Sequence, residues 1–548
     1  MSANITDPPA GPAAGGPAPG LFTRKATGLV REGRTRDALF YNLLWSSVAL
    51  TFAFYWLFAA FYPGSNAMLS FLIAAALGLP GAFLYAMLTQ LMPRTGGDYV
   101  FNSRSLHPSV GFAGNFSYSF WLAVVIGVYT TYIASYGFGA FGRMMAGYGA
   151  GSGWLSFGDW FSTSAGLFIT GTIMLLLSAT MFALGGVRLF FRIQAACFVL
   201  YLLGAILVPV LVGIFQSHSG FVANFDDYGA HLGATGASAA LAKSAKEAGF
   251  AHAGFSWEMT LKAVSVFWFI FGFIFSSNYF AGEIRLAKRT HLYSMPGAVL
   301  LAVVVLLMLV PSFTHLVGYD FASQLGLADP TAYGFAAGAP AYPELIGIGS
   351  GSPVIAAVAI IGFTIGMAVW LPQTIMLVSR NMFAWSFDRV VPERLSYVDR
   401  RSRSPIVAIG VMLVVSIGST AVYAFTDWLS SLSALLGLSL PLLVTAIAGT
   451  LLPFRQPDLV NNSPYSRRIA GIPMLTLVGS LAILGFAAAI GVLLWDPGSG
   501  ASLSENPGRV ALVVGVYLVG LVGWFVARAI RRSQGVDIDL AYRELPAQ

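Results

Sequence analysis

DALFYNLLWSSVALTFAFYWLFAA (residues 37–60) and KAVSVFWFIFGFIFSSNYFAGE (residues 262–283) are hydrophobic stretches that small or polar residues interrupt about midway. A break in a membrane helix releases backbone amides and carbonyls that lipid cannot satisfy, so it persists only where protein or a water-lined cavity takes them up. One such interruption early in the chain and one at its centre, in corresponding positions of two halves, is the pattern of a solute site between inverted repeats. The pair favours transport over catalysis.

Composition fits a bilayer rather than water. Of the 548 residues, 57% are hydrophobic, 14% aromatic and only 10% charged, too little polar surface for a soluble globule of that size. A hydrocarbon core of about 30 Å needs roughly 20 apolar residues per helix. Twelve spans meet that need: 38–62, 66–92, 112–142, 162–184, 188–215, 262–287, 292–317, 353–384, 405–425, 427–453, 470–494 and 509–530. The expected fold class is an all-α polytopic membrane protein. The opening MSANITDPPAGPAAGGPAPG has no continuous apolar core, which predicts a disordered tail rather than a cleaved signal peptide.

With the amino terminus cytoplasmic, five of the 30 Lys and Arg (Arg143, Lys243, Lys246, Lys262 and Arg509) fall in outer segments and the other 25 in inner ones. That bias is the positive-inside pattern and places both termini in the cytoplasm. The net charge of +7 then reflects contact with anionic lipid, not nucleic acid. Of two long outer segments, 216–261 is rich in Gly, Ala, Ser and His, and 318–352 has no Lys or Arg. The second is either a lid over an outer vestibule or a surface connector.

In the first interruption Ser46 and Ser47 precede Thr51, which shares a helix face with Ser47. These hydroxyls and any unwound backbone beside them suit a ligand carboxylate, because amides at a half-helix amino terminus carry partial positive charge. The competing reading is helix packing, for which Ser and Thr are also common. In the sixth span Gly272 permits a break, and Ser276, Ser277 and Asn278 can satisfy the groups it frees. Phe269, Phe271 and Phe273 around it either wall an apolar pocket or are lipid-facing or core residues. Tyr129, Tyr132 and Tyr136 form one stripe on the third span, with Tyr132 nearest the expected midplane. Their hydroxyls need partners, either along a polar pathway or on neighbouring helices.

No Asp, Glu, Lys or Arg falls near the centre of an expected span. That disfavours a substrate with net charge and leaves no proton-relay residue at the midplane. The single Cys197 excludes an internal disulfide and a cysteine-built metal site, and none of the six His forms a metal-like pair. GGDYV (residues 96–100) opens an inner loop and is not a phosphate motif. No cofactor is expected, and an enzyme is the least favoured class.

That inner loop, PRTGGDYVFNSRSLHPSVGF (residues 93–112), resembles the amino acid–polyamine–organocation (APC) superfamily of permeases. SNYFAGEIRLAKRT (residues 277–290) is similar to the family's sixth-helix exit, and SRNMFAWSFDRVVPERLSYVDRRSRSPIVAI (residues 379–409) to its segment between helices eight and nine. The resemblance covers most of residues 35–530. It implies a LeuT-like five-plus-five inverted repeat with broken helices one and six, the halves being residues 37–215 and 262–454. An extracellular loop, 216–261, joins them; two peripheral helices occupy 455–530, and cytoplasmic tails 1–36 and 531–548. It also implies amino acid or amine transport by alternating access.

By the same resemblance Ser46, Ser47 and Thr51 match the unwound region of helix one, and Phe269, Phe271, Gly272 and Phe273 that of helix six. Tyr132 and Trp370 are looser matches on helices three and eight. Two departures stand out. Helix one carries Ser46-Ser47 in place of the family's glycine-rich break, and RIQAACFVLY (residues 192–201) puts Tyr201 about where some proton-coupled members have a lysine. That proton mechanism does not carry over. Sodium coupling in this fold uses helix-eight hydroxyls, for which Thr364 is the candidate ligand; the coupling ion, sodium or proton, stays open.

These readings predict a secondary transporter of the prokaryotic plasma (inner) membrane for a neutral, apolar or aromatic amino acid or similar small zwitterion. A nucleobase or other uncharged solute is the alternative cargo. A non-transporting sensor or scaffold of the same fold is the alternative class.

Overall fold

A computed structural model describes residues 28–285, 287–335, 338–426 and 434–542. Most of the expected amino-terminal tail and the last six residues of the carboxy-terminal one lie outside the described residues. Eleven helices among those described are long and apolar enough to cross a membrane. One of them, Ser164–Phe215, has 52 residues, more than twice what one crossing needs. It divides at Gly186, whose φ of +58° and ψ of −153° break the helix between the two spans expected there. Only glycine fits at this joint, since a Cβ would sit 2.0 Å from the Ser402 carbonyl oxygen. The chain is an all-α polytopic membrane protein; its only sheet among the described residues is a hairpin of Arg468–Ile469 with Ile472–Pro473.

Both interrupted stretches are interrupted in space. The first span is two half-helices, Thr35–Trp45 and Val48–Leu57, and the sixth runs as a helix over Val264–Phe271 and continues as 3₁₀ turns at Ser276–Tyr279 and Ala281–Glu283. The third and fifth spans each contain a π-helical stretch, Ile133–Gly139 directly after Tyr132 and Leu202–Leu207 directly after Tyr201. Such wide turns rotate the helix that follows and recur at functional sites.

Both described chain ends lie at one face. Gly33 bonds to Glu283 and Arg285 through the backbone, Gly96 bonds to Tyr279, and Tyr542 near the other end meets the Tyr99 hydroxyl at 3.0 Å. We call this the terminal face and the opposite one the loop face. There the two long segments fold into helices, among them His218–His231, Ala237–Glu247, Tyr319–Leu327 and Tyr342–Ser350. The rings of Phe221, Phe225, Phe321 and Phe335 join them into a shared apolar cap, with Phe225 about midway at 5.1 Å from Phe321 and 5.2 Å from Phe335. A segment that buries aromatic rings against its neighbours is no loose connector.

Candidate substrate site

Two adjacent serines shape the first break. Ser47 takes a left-handed conformation, φ +47° and ψ +50°, between the half-helices. A residue with a side chain is strained there by about 1 kcal/mol or more, so neighbours must hold it. Ser46 Oγ donates to the Leu43 carbonyl at 2.8 Å, and the Tyr129 hydroxyl of the third span donates to Ser47 Oγ at 3.0 Å. The first-turn amides of the second half-helix have no carbonyl partner within it. One of them, Ala49 N–H, donates to the Tyr201 hydroxyl oxygen at 2.9 Å.

A column of rings covers the break. Trp370 of the eighth span stacks on Tyr129 with centroids 3.8 Å apart and on Trp45 at 4.9 Å, and Phe269 lies parallel to Tyr129 at 6.4 Å. Trp370 Nε1 in this layer and Thr51 Oγ1, one turn beyond Ser47 in the second half-helix, are buried and have no hydrogen-bond partner among the described residues. An indole N–H, a hydroxyl and helix-end amides can hold a carboxylate without any formal charge, while flat apolar faces receive a hydrocarbon or ring.

The second half-helix also walls a cavity of about 250 Å³ on the loop-face side, lined by Leu50, Phe54, Tyr136, Tyr342, Leu345 and Phe363. Arg143 at its edge grips Glu344 through two bonds, Nε to Oε1 at 3.1 Å and Nη2 to Oε2 at 2.9 Å, and so pins the 318–352 segment over it. We refer to this covering segment as the lid. Toward the terminal face a second buried fork, Arg380 on Glu283 at 2.8 and 3.0 Å, ties the eighth span to the end of the sixth.

A family model described as amino acid permease matches residues 39–526, from the first half-helix through the last span. The chain belongs to the amino acid permease family. No curated protein matches it. The permease is thus a member of the superfamily that the GGDY loop suggested, and family and fold together make it a transporter of amino acids or related solutes.

The structure brings together only part of the expected site. Ser47, Phe269 and Trp370 meet at Tyr129 beside the break, Thr51 is buried one turn further along, and Ser46 is turned back to brace the bend. Phe273 flanks Phe269 at 5.9 Å, and Phe271 is fully buried. Gly272 faces protein: a Cβ there would lie 2.6 Å from the Trp268 indole, which itself donates to Ser439 Oγ at 2.9 Å. Tyr132 stands one turn toward the loop face, 5.5 Å from Tyr136 and 5.1 Å from Phe54. Thr364 lies against Gly137 of the third span, and its hydroxyl donates to the Ile360 carbonyl of its own helix at 2.6 Å.

The roles of three participants are not legible in the sequence. Tyr129, not Tyr132, is the stripe member that reaches the break, and the even 3–4 spacing gives no sign of which tyrosine does so. Trp45 precedes the serines but reads as one more large apolar residue. The Arg143–Glu344 clamp had a signal in the lone outer arginine of the third span and an acid in a segment without cations.

Proposed function

We propose that the permease carries a neutral amino acid with an apolar or aromatic side chain, or a similar small zwitterion, by alternating access. The observation that carries this reading is the uncharged polar set at the first break: Ser47, Thr51, Trp370 Nε1 and the half-helix amides, under the Trp45–Trp370–Tyr129 column. The buried charges nearest along the route, Arg143–Glu344 and Arg380–Glu283, already neutralise each other. A substrate with net charge would find no counter-charge, whereas a zwitterion's carboxylate is met by helix-end amides and its ammonium by carbonyls freed beyond Phe271. We read residues 37–215 and 262–454 as the two repeats whose relative rocking alternates access. Two buried ion pairs support this, the loop-face clamp and the terminal-face fork, one on each side of the break. A flat nucleobase is the second reading, which the stacked rings favour.

Uptake into proteoliposomes, with a thermal-shift panel of amino acids and nucleobases, tests the proposal. Saturable uptake of an apolar amino acid is expected, and Trp370→Ala should weaken its binding about tenfold or more by removing both a stacking face and a donor. Uptake of nucleobases alone selects the second reading. Binding without flux would instead make the protein a sensor.

We also propose that the terminal face is cytoplasmic in a prokaryotic plasma membrane, since the 25-to-5 distribution of Lys and Arg favours that side. In a Cys197→Ser background, cysteines placed in 318–352 should label from outside intact cells, and ones in 389–403 only after the membrane is opened. The reverse pattern would invert the topology.

A further inference from the structure

Asp98 begins the short helix Asp98–Ser105 on the terminal face and is fully buried. Its Oδ1 accepts from Asn115 Nδ2 at 2.6 Å, and Asn115 Oδ1 accepts from Trp385 Nε1 at 2.7 Å, so the amide's orientation is fixed from both sides. Its Oδ2 has no hydrogen-bond partner among the described residues. The titratable groups that face it are Tyr85 of the second span, Tyr118 of the third, Tyr279 beyond the sixth-span break and Tyr517 of the last span. Phenols, with an ordinary pKa of about 10, are neutral near pH 7 and offer no counter-charge. Arg104, at the far end of the same helix, is held by Asp388 at 2.9 Å. Burial pushes the Asp98 carboxyl up to about 7, with the Asn115 bond opposing the rise.

The loop that carries Asp98 is fastened to the segment beyond the sixth-span break. Gly96 N–H donates to the Tyr279 carbonyl at 2.9 Å, and Thr95 bridges Phe280. Gly97, at φ +50°, lies so close to the Tyr279 ring that a Cβ would be 2.7 Å from it. Opening the terminal face past the sixth span must part this contact and let water reach Asp98.

We propose that Asp98 is a proton-binding site that latches the terminal-face gate. Below about pH 7 it is a carboxylic acid while the 95–98 loop lies on Tyr279, and it loses its proton to water, becoming a carboxylate, when the loop lifts. The inference rests on the alternating-access reading only in that the gate opens at all. A hydrated Asp titrates near 4, so between about 4 and 7 the closed state holds one proton more than the open one. Opening therefore becomes easier by up to tenfold per pH unit across that window and levels off above it. The proton returns from the same face on closing, so the site makes opening sensitive to the pH of that side and carries no proton across.

The test uses the full chain with Cys197→Ser and a reporter, Ser294→Cys, placed at a buried serine whose carbonyl meets Asn42 of the first half-helix. The rate of maleimide labelling of purified protein is measured between pH 5 and 8, with and without Asp98→Asn; the ratio of the two rates cancels the thiol's own ionisation. That ratio should climb about tenfold per unit between pH 5 and 7 and then flatten, and a flat ratio throughout overturns the proposal. Asn115→Ala, which removes the bond favouring the carboxylate, should move the window to higher pH even if Asp98→Asn does not fold, and an unmoved window counts against the latch equally. No solute enters the measurement, so absent uptake in proteoliposomes would sink the transport reading while leaving this result to stand or fall alone.

Discussion

Arg380→Ala is expected to destabilise the permease by about 3–5 kcal/mol, the cost of leaving a buried partner charge uncompensated. Glu283 and Arg380 are both essentially without solvent contact, and two parallel bonds at 2.8 and 3.0 Å hold them together. Removing the guanidinium strands the Glu283 carboxylate where neither water nor another described cation replaces it. Denaturant or thermal unfolding in detergent measures the loss. The double variant Glu283→Leu with Arg380→Met should recover most of it, because an apolar pair of similar volume avoids desolvating two ions. It should still impair transport if, as proposed, the sixth span rocks, since the pair also joins the eighth span to the end of the sixth. A single-variant effect below about 1 kcal/mol would place the pair in the class of screened surface bridges.

Glu344→Ala is expected to free the loop-face lid. Glu344 receives both the Arg143 fork and the Ala341 amide, so one truncation removes both bonds between the lid helix and the third span and a third that caps the lid helix itself. A loss of about 3 kcal/mol in lid closure corresponds to a rise of roughly a hundredfold in the open population. In a Cys197→Ser background, the labelling rate of Leu345→Cys, on the cavity wall, reports it directly. Glu344→Gln should fall between, since an amide keeps the Ala341 bond but loses the charge-assisted fork. Equal labelling in all three would show that the cap's aromatic packing alone keeps the lid down.

The break in the first span illustrates how far local chemistry reaches. A serine pair inside a run of large apolar residues announces an interruption, and Ser47 is indeed left-handed. Which groups then satisfy the break depends on residues far along the chain: Tyr129 lies 82 positions from Ser47, and Tyr201 lies 152 from Ala49. Tyr201 stands about where some family members have a lysine, but its role as acceptor for a freed amide is a matter of geometry. Gly272 shows the converse, a correct break whose glycine makes room for the Trp268 indole.

By itself the sequence determined the membrane class and the positions of both breaks. Those properties are local: a bilayer demands about 20 apolar residues per crossing, and a helix fails where polar or small residues interrupt it. Only the tertiary structure decided which stripe tyrosine meets Ser47, that residues of the 318–352 segment pack over a cavity, and that Asp98 is buried without a counter-charge. Each is a relation between segments distant in sequence, as with Arg143 and Glu344, 201 residues apart. The energies involved, in desolvation, ring stacking and charge pairing, act only once packing has excluded water and brought the partners within a few ångströms.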